Sequence, residues 1–247
     1  MFKSVLIRFY EELNDFLPLN KRKKRFEHSF INRTSVKDLI ESLGVPHTEV
    51  DLILVNGISE KFSYLIKAGD DIAVYPVFES LDITNVQHLR SRPLRKPKFV
   101  LDVHLGTLAK YMRMIGLDTL YKNNFTDEEI VKISFKERRA ILTKDRGILK
   151  RSGVTHGYWI RSSKTIEQLK EVLLRFDLKD QIKEFSRCLL CNSILKKVTK
   201  EKILDRLPPK VKEQQNAFYI CSTCDKIFWK GSHCTKMKGI IEEIMLL

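Results

Sequence analysis

Short apolar runs alternate with amphipathic stretches from residue 99 to residue 184 of this 247-residue chain. The runs FVLD, DTLY, AILTKD and GYWI predict strands. The amphipathic stretches that follow them predict helices, the last and longest over about 164–184. Strands that alternate with helices form parallel sheets with right-handed crossover connections. The pattern therefore predicts an α/β domain built on a parallel sheet.

Three aspartates stand just after apolar runs in this region, at Asp102, Asp127 and Asp145. Because the carboxyl ends of neighbouring parallel strands lie side by side, we expect these acids to converge on one crevice. Converging carboxylates repel one another, so a cation must hold them, and an all-oxygen ligand set favours Mg²⁺ or Mn²⁺. Asp118 precedes its strand, so we expect it at the opposite edge of the sheet as a turn residue.

Each of the three aspartates also has a purely structural explanation. Asp102 could cap the helix that follows it, since an aspartate in that position accepts backbone N–H bonds. Asp127 could stabilise the first turn of its helix through the helix dipole, and Asp145 could be a turn residue. The strand-end argument favours metal binding for Asp102, and the three acids together support that interpretation better than any one alone.

The charge of the chain is strongly positive, with 45 Lys and Arg residues against 31 Asp and Glu residues and a formal net charge of +14. Residues 1–80 contain 11 basic and 12 acidic residues, residues 81–184 contain 22 and 13, and residues 185–247 contain 12 and 6. Such a field attracts nucleic acid through counterion release. A solvated basic surface without a dedicated ligand is the alternative. Four basic residues after the third strand are candidates for holding a nucleic-acid backbone, or for an ordinary exposed helix: Lys144, Arg146, Lys150 and Arg151.

No segment approaches the roughly 18 apolar residues that are needed to span a bilayer. The N-terminus, MFKSVLIRFYEELNDF, lacks a signal-peptide pattern because acids interrupt it early. We therefore predict a cytoplasmic protein that has no membrane partner.

Four of the five cysteines form two C-x-x-C pairs, Cys188 with Cys191 and Cys221 with Cys224. Four thiolates at paired spacing complete a tetrahedral Zn²⁺ site without an open position, which is typical of structural zinc. Free thiols and redox-active pairs are the alternatives, but cytoplasmic thiols stay reduced and no thioredoxin-like context surrounds either pair. Cys234 is left over, and we interpret it as a small buried thiol.

The first eighty residues predict a small β-grasp sheet. Strand patterns occur at residues 5–10, 25–31, 51–55 and 71–78, and a helix begins after Ser35. The segments VKDLIESLGVP, LILVNG and AGDDIAVYPVF resemble the ubiquitin-like sulfur carriers of thiamine and molybdopterin synthesis. Those carriers act through a free Gly-Gly end, whereas this chain continues past its last strand. A sulfur-transfer role is therefore disfavoured, and a structural role or docking of a protein partner remains.

The predicted organisation has four parts. A basic, proline-containing stretch without apolar periodicity separates the β-grasp domain from the α/β domain. The predicted parts are a ubiquitin-like β-grasp domain over 1–80, a basic linker over 81–98, an α/β domain over 99–184, and a zinc ribbon with a C-terminal helix over 185–247.

The segments FVLDVHLGTLAKYMRMIGLDTLY, TDEEIV and ILTKDRGILKR, together with the cysteine block, closely resemble one family. It is the PIN-like ribonuclease family named after the C-terminal region of the mutator-seven exonuclease, and its members carry a similar ubiquitin-like domain. The resemblance implies a PIN fold, with a three-layer α/β/α arrangement, and metal-dependent RNA cleavage. It assigns the strand-end acids to Asp102, Asp127 and Asp145, and Glu128 is the nearest candidate for the fourth acid of a complete PIN site.

Two functions are therefore predicted. The first is a ribonuclease that uses Mg²⁺ or Mn²⁺ at its acids and holds Zn²⁺ in its ribbon. The second is a non-catalytic RNA-binding or adaptor protein in which the acids are structural. The charge distribution does not separate them, because both need a basic surface.

Overall fold

The structure is a computed structural model that describes residues 3–76, 89, 96–184, 186–229, 231, 239 and 241–242. Most of the predicted linker, Cys234 and most of the predicted C-terminal helix lie outside these residues. Two compact units are present. The first unit combines residues 1–95 with residues 145–159, and the second combines residues 96–144 with residues 160–247.

The N-terminal sheet confirms the predicted β-grasp fold. Its central strands β1 and β5 are parallel, and its strand order is β2-β1-β5-β3-β4. The helix begins after Ser35, whose hydroxyl accepts the Asp38 N–H at 3.1 Å, and its apolar side packs into the core of the sheet. The elements are β1 (Lys3–Phe9), β2 (Phe26–Phe30), α1 (Val36–Ser42), β3 (Val50–Val55), β4 (Ile58–Ser59) and β5 (Asp71–Pro76).

The central sheet confirms the predicted α/β architecture. It has four strands in the order β7-β6-β8-β9, and β6 is parallel to both of its neighbours. Strand β8 is buried along its whole length, as expected for a parallel strand covered on both faces. The elements are β6 (Lys98–Leu101), α2 (Gly106–Met114), β7 (Thr119–Leu120), α3 (Asp127–Glu137), β8 (Arg139–Thr143), β9 (Gly157–Trp159) and α4 (Thr165–Arg175).

The prediction for the last helix of this region was wrong at its C-terminal end. Helix α4 ends at Arg175, about nine residues before the predicted end. Asp177 has a left-handed backbone (φ 46°), and the Phe176 ring packs edge-on against buried Phe99, with ring centroids 5.1 Å apart. The helix therefore ends where half-buried Phe176 packs against the core residue Phe99.

The C-terminal part is a three-stranded antiparallel ribbon in the order β10-β11-β12. One small core surrounds the cysteines, and a second contains Ile203, Leu207 and Phe218. Among the described residues, no helix is long and apolar enough to cross a lipid bilayer. The elements are β10 (Leu195–Val198), α5 (Pro209–Gln214), β11 (Phe218–Cys221) and β12 (Ile227–Trp229).

Candidate functional site

Asp102 lies directly after β6, at the carboxyl end of the parallel sheet, and is 5% exposed. Its Oδ1 accepts the His104 N–H at 2.7 Å. Its Oδ2 accepts the Lys144 N–H at 2.9 Å and the Thr143 hydroxyl. Asp102 therefore caps the 3-10 turn Val103–Leu105, as the structural alternative predicted, and it also ties the end of β6 to the end of β8.

Thr143 and Tyr121 belong to this strand end and were not among the predicted site residues. Thr143 closes buried strand β8, where a hydroxyl can only be accommodated by a partner such as Asp102. The Tyr121 hydroxyl donates to the Val103 carbonyl at 3.1 Å. A Cβ at Gly106 would lie 2.5 Å from that hydroxyl, so glycine is needed there. The turn that follows Asp102 is thus held rigidly.

Asp127 is half-buried in the first turn of α3. The sequence pattern Thr126-x-x-Glu129 is that of a capping box, and both of its bonds are present: the Thr126 hydroxyl accepts the Glu129 N–H at 3.3 Å, and the Glu129 carboxylate accepts the Thr126 N–H at 2.8 Å. Glu128 is exposed on the same turn. The capping role thus falls to Thr126 and Glu129, and Asp127 is not part of the box.

Asp145 is exposed and begins residues 145–159, the later segment of the first unit. Its Oδ1 accepts the Gly147 N–H at 2.7 Å, which is the turn geometry that aspartate favours. Within the described ranges, the cysteines are the only group of three or more His, Cys, Asp or Glu side chains whose ligand atoms all lie within 4.8 Å of one another. The convergence of the three aspartates therefore stays a prediction.

Two of the four predicted RNA-binding residues have partners within the first unit. The Arg146 guanidinium stacks over the Trp159 ring at 3.8 Å from its centroid, and it lies 5.1 Å from the Phe16 centroid. The Lys150 Nζ donates to the Glu41 carbonyl at 2.8 Å. Both side chains are therefore oriented by the β-grasp residues.

The other two predicted RNA-binding residues, Lys144 and Arg151, are both half-buried. The backbone N–H of Lys144 is used by Asp102, and that of Arg151 donates to the Ile148 carbonyl at 3.2 Å. The backbone on either side of the short Ile148–Lys150 turn is thus fixed in the structure.

The cysteine cluster has the geometry of a tetrahedral metal site. The Sγ atoms of Cys188 and Cys224 are 3.5 Å apart, and those of Cys191 and Cys221 are 3.3 Å apart. Four sulfurs about 2.3 Å from a zinc ion would lie about 3.8 Å from one another, so a small expansion is enough to admit it. These four cysteines could bind zinc, as the spacing predicted.

Protons must leave when a cation binds this cluster. Burial raises the pKa of the Cys188 thiol to about 12. At Cys191 burial acts in the same direction, but hydrogen bonds from the side chain and backbone of Ser193 outweigh it and lower the pKa to about 6. Metal affinity therefore falls as the solution is acidified.

Arg113 of α2 holds the first cysteine pair against the α/β region, and it is 3% exposed. Its Nη1 donates to the carbonyls of Leu189 and Leu190, between the two cysteines, at 3.0 and 2.9 Å. Its Nε donates to the Thr119 carbonyl of β7 at 2.9 Å. Burial lowers the pKa of Arg113, and the nearby charges of Cys188 and other groups act in the opposite direction. The buried guanidinium of Arg113 therefore finds hydrogen-bond acceptors both in the α/β region and in the loop between the first two cysteines.

Asp118 sits before β7, at the edge of the sheet that was predicted, but it is more than a turn residue. Its carboxylate accepts bonds from Arg139 at 2.6 Å, Asn192 at 2.8 Å and Arg187 at 3.2 Å. Burial alone would raise the pKa of Asp118, but the bonds from Arg139 and Asn192, with the charges of both arginines, lower it below its usual value. Asn192 also accepts the Thr119 N–H at 2.9 Å.

The family model described as the Mut7-C RNAse domain matches residues 97–241, and the model described as Mut7-C ubiquitin matches residues 2–82. The chain belongs to the Mut7-C RNAse domain family. The comparison with curated proteins found no match, and neither did the comparison with solved structures.

The Mut7-C RNAse match extends from residue 97 to residue 241, a range that includes β6 and the cysteine ribbon. It contains all three candidate aspartates and all four clustered cysteines. The bonds of Arg113 and Asp118 show why the two parts behave as one region: each joins the sheet to the first cysteine pair. The ribbon is therefore an integral part of the Mut7-C RNAse region.

We expect Asp118→Asn to destabilise the Mut7-C RNAse region by about 2 kcal/mol at pH 7, because it removes the negative charge that pairs with buried Arg139 and half-buried Arg187. The folded-state pKa of Asp118 is below its ordinary value of 3.8, so its contribution is full above about pH 4 and is lost as the pH falls through the folded-state pKa. Urea unfolding at pH 7 and below pH 4 measures both effects. The exposed acid Asp205, changed to asparagine, is the matched control. Equal stability of Asp118→Asn and wild type at pH 7 would contradict this assignment.

Proposed function

We propose that this chain hydrolyses phosphodiester bonds of RNA with the help of a divalent cation, Mg²⁺ or Mn²⁺, held by Asp102, Asp127 and Asp145. The match of the Mut7-C RNAse domain to residues 97–241 is the observation that supports this function most. The position of Asp102 between two parallel strand ends supports the choice of site.

The donor atoms fit such an ion. All three side chains offer carboxylate oxygens, the ligands that Mg²⁺ and Mn²⁺ prefer. Asp102 is oriented by donors from His104, Thr143 and Lys144, and hydrogen bonds of this kind commonly fix metal-binding carboxylates. When bound, the cation would lower the pKa of a coordinated water and offset charge that develops on the phosphate.

The basic residues near Asp145 would receive the RNA backbone. A guanidinium that stacks on an aromatic ring, as Arg146 does on Trp159, keeps its N–H groups in the plane where they pair with phosphate. We propose that Lys144, Lys150 and Arg151 supply further phosphate contacts. Because such contacts carry no sequence information, they would favour binding of many RNA sequences.

We also propose that the four cysteines hold Zn²⁺ in a structural role. All four positions of a tetrahedral ion would be filled by sulfur, which leaves no position for water or substrate. The contacts of Arg113 with Leu189 and Leu190 would then make zinc a support for the adjacent sheet.

A second candidate is a non-catalytic RNA-binding or adaptor protein of the same family. The observation that favours it is the near-complete burial of Asp102, whose carboxylate already accepts three hydrogen bonds. In that case the acids would stabilise strand ends and turns, the basic surface would hold RNA, and the β-grasp domain would bind a protein.

Incubation of the purified chain with end-labelled RNA should separate the two candidates. We expect cleavage with Mg²⁺ or Mn²⁺, none in EDTA, and recovery when Mg²⁺ or Mn²⁺ alone is added back. Because EDTA also competes for zinc, the zinc content of each sample should be measured alongside. Binding without cleavage at any divalent ion concentration would favour the adaptor.

A further inference from the structure

We propose that the β-grasp domain is an intramolecular clamp that positions the Asp145 segment, defined as residues 145–159, for catalysis. Only the catalytic consequence of the clamp rests on the nuclease function proposed above. The clamp itself follows from contacts within the first unit, which joins the Asp145 segment to residues 1–95. It gives the β-grasp domain a role that needs neither a free Gly-Gly end nor a partner protein.

The centre of the Asp145 segment is held by His47, which is 8% exposed. One ring nitrogen, Nε2, lies 2.7 Å from the Val154 carbonyl, and the other, Nδ1, lies 2.6 Å from the Glu41 carboxylate. Both ring nitrogens therefore lie against oxygen atoms of the chain. The edge of the ring also packs on Phe62, at 5.7 Å between centroids. His47 is thus fixed by the β-grasp domain and fixes residue 154 in turn.

The C-terminal end of the segment is held by Glu49, which is fully buried. Its Oε1 accepts the Trp159 N–H at 2.6 Å. The Trp159 ring packs against the Phe16 ring, with centroids 5.1 Å apart. Breaking this hydrogen bond would cost free energy, because the buried carboxylate would be left without that donor.

The N-terminal part is held by Arg146 and Lys150. Arg146 stacks on the same Trp159 ring and faces Phe16, and Lys150 donates to the Glu41 carbonyl of α1. The segment is therefore bound near its start, in its middle and at its end by side chains or carbonyls of residues 16–49. Asp145 stands next to the first of these contacts, whereas the residue before it, Lys144, gives its backbone N–H to Asp102.

This arrangement has a consequence for the proposed reaction. Asp145 is exposed, and its carboxylate accepts the Gly147 N–H within its own turn. Anchoring of the residues that follow it restricts where its carboxylate can lie, and small displacements of a catalytic group cost large factors in rate. The β-grasp residues His47 and Glu49 are thus positioning residues, which act through the Asp145 segment.

The test compares His47→Ala with the matched control His28→Ala, which changes a half-buried histidine of β2, in the 247-residue chain. Hydrogen exchange of residues 145–159 should become about tenfold faster in His47→Ala and stay unchanged in His28→Ala. With RNA, kcat should fall roughly tenfold or more while KM stays within about twofold. His47→Gln keeps an N–H for the Val154 carbonyl and should recover part of the protection and of kcat.

Unchanged hydrogen exchange of residues 145–159 in both His47→Ala and Lys150→Met would overturn the clamp. If His47→Ala does not fold, Lys150→Met alone decides the test. A change in KM with kcat unaffected would show that the β-grasp domain serves RNA binding instead, which also contradicts the proposal. If wild-type protein cleaves no RNA, the exchange measurement still decides the clamp, so failure of the nuclease function is distinguishable from failure of the clamp.

Discussion

Cys191→Ser is expected to abolish zinc binding and unfold the ribbon, the largest loss of stability that we expect from a single substitution in this chain. Binding of structural zinc contributes about 10–16 kcal/mol in small zinc-finger peptides. Among the residues of the ribbon that the structure describes, the second core contains three buried side chains, Ile203, Leu207 and Phe218. Zinc content by mass spectrometry and denaturant unfolding of the ribbon measure the two effects.

The loss should spread beyond the ribbon because Arg113 depends on the first cysteine pair. If the loop of Leu189 and Leu190 unfolds, Arg113 loses two of its acceptors in a buried position. We therefore expect faster proteolysis of α2 as well. The matched control is Cys234→Ser, the same chemical change at the cysteine outside the C-x-x-C pairs. Full zinc content in Cys191→Ser, or an equal loss in Cys234→Ser, would count against the four-cysteine site.

Local signals in the sequence predicted local structure well. Thr126 and Glu129 specify a capping box by their spacing alone, and the structure contains both of its bonds. The cysteine spacing likewise located the cluster. The end of α4 was predicted wrongly because it depends on a contact that is distant in the sequence. Phe176 packs on Phe99, and nothing near residue 176 in the sequence indicates that partner.

The contacts that matter most for the candidate site join residues that are far apart in the sequence. His47 and Val154 are 107 residues apart, and Arg113 and Leu190 are 77 residues apart. In the sequence Asp118 looks like an ordinary turn residue, because its three hydrogen-bond partners come from other parts of the chain. The sequence contains one weak signal for the Asp118 contacts, because Asn192 directly follows the first cysteine pair. In the structure Asn192 adopts a left-handed backbone (φ 70°), which asparagine tolerates.

For the aspartates, the strand-end argument predicted convergence of all three on one crevice, and that stays a prediction. The structure shows that Asp102 contacts the end of β8 through Thr143 and Lys144. Sequence reasoning treated capping and metal binding as alternatives for Asp102. The structure shows the capping bonds, and a carboxylate with two oxygens can accept N–H bonds and bind a cation together. The two roles are therefore compatible, and a substitution at a less constrained acid separates them best.

Asp145→Asn is that substitution, and we expect cleavage of RNA to fall at least about a hundredfold. Loss of a ligand charge removes a few kcal/mol of transition-state stabilisation, and each 1.36 kcal/mol is about tenfold in rate. Asparagine keeps an oxygen that can accept the Gly147 N–H, so the turn should persist. Single-turnover cleavage at saturating Mg²⁺ or Mn²⁺ measures the rate.

Folding and RNA affinity should be nearly unchanged in Asp145→Asn, because the side chain is exposed and loses only a negative charge. Fluorescence anisotropy of labelled RNA in EDTA tests affinity separately from cleavage, and Asp205→Asn serves as the control for removal of an exposed negative charge. Wild-type activity in Asp145→Asn would remove Asp145 from the site. Loss of cleavage together with faster hydrogen exchange of residues 145–159 would instead assign Asp145 a structural role in the segment that the β-grasp domain holds.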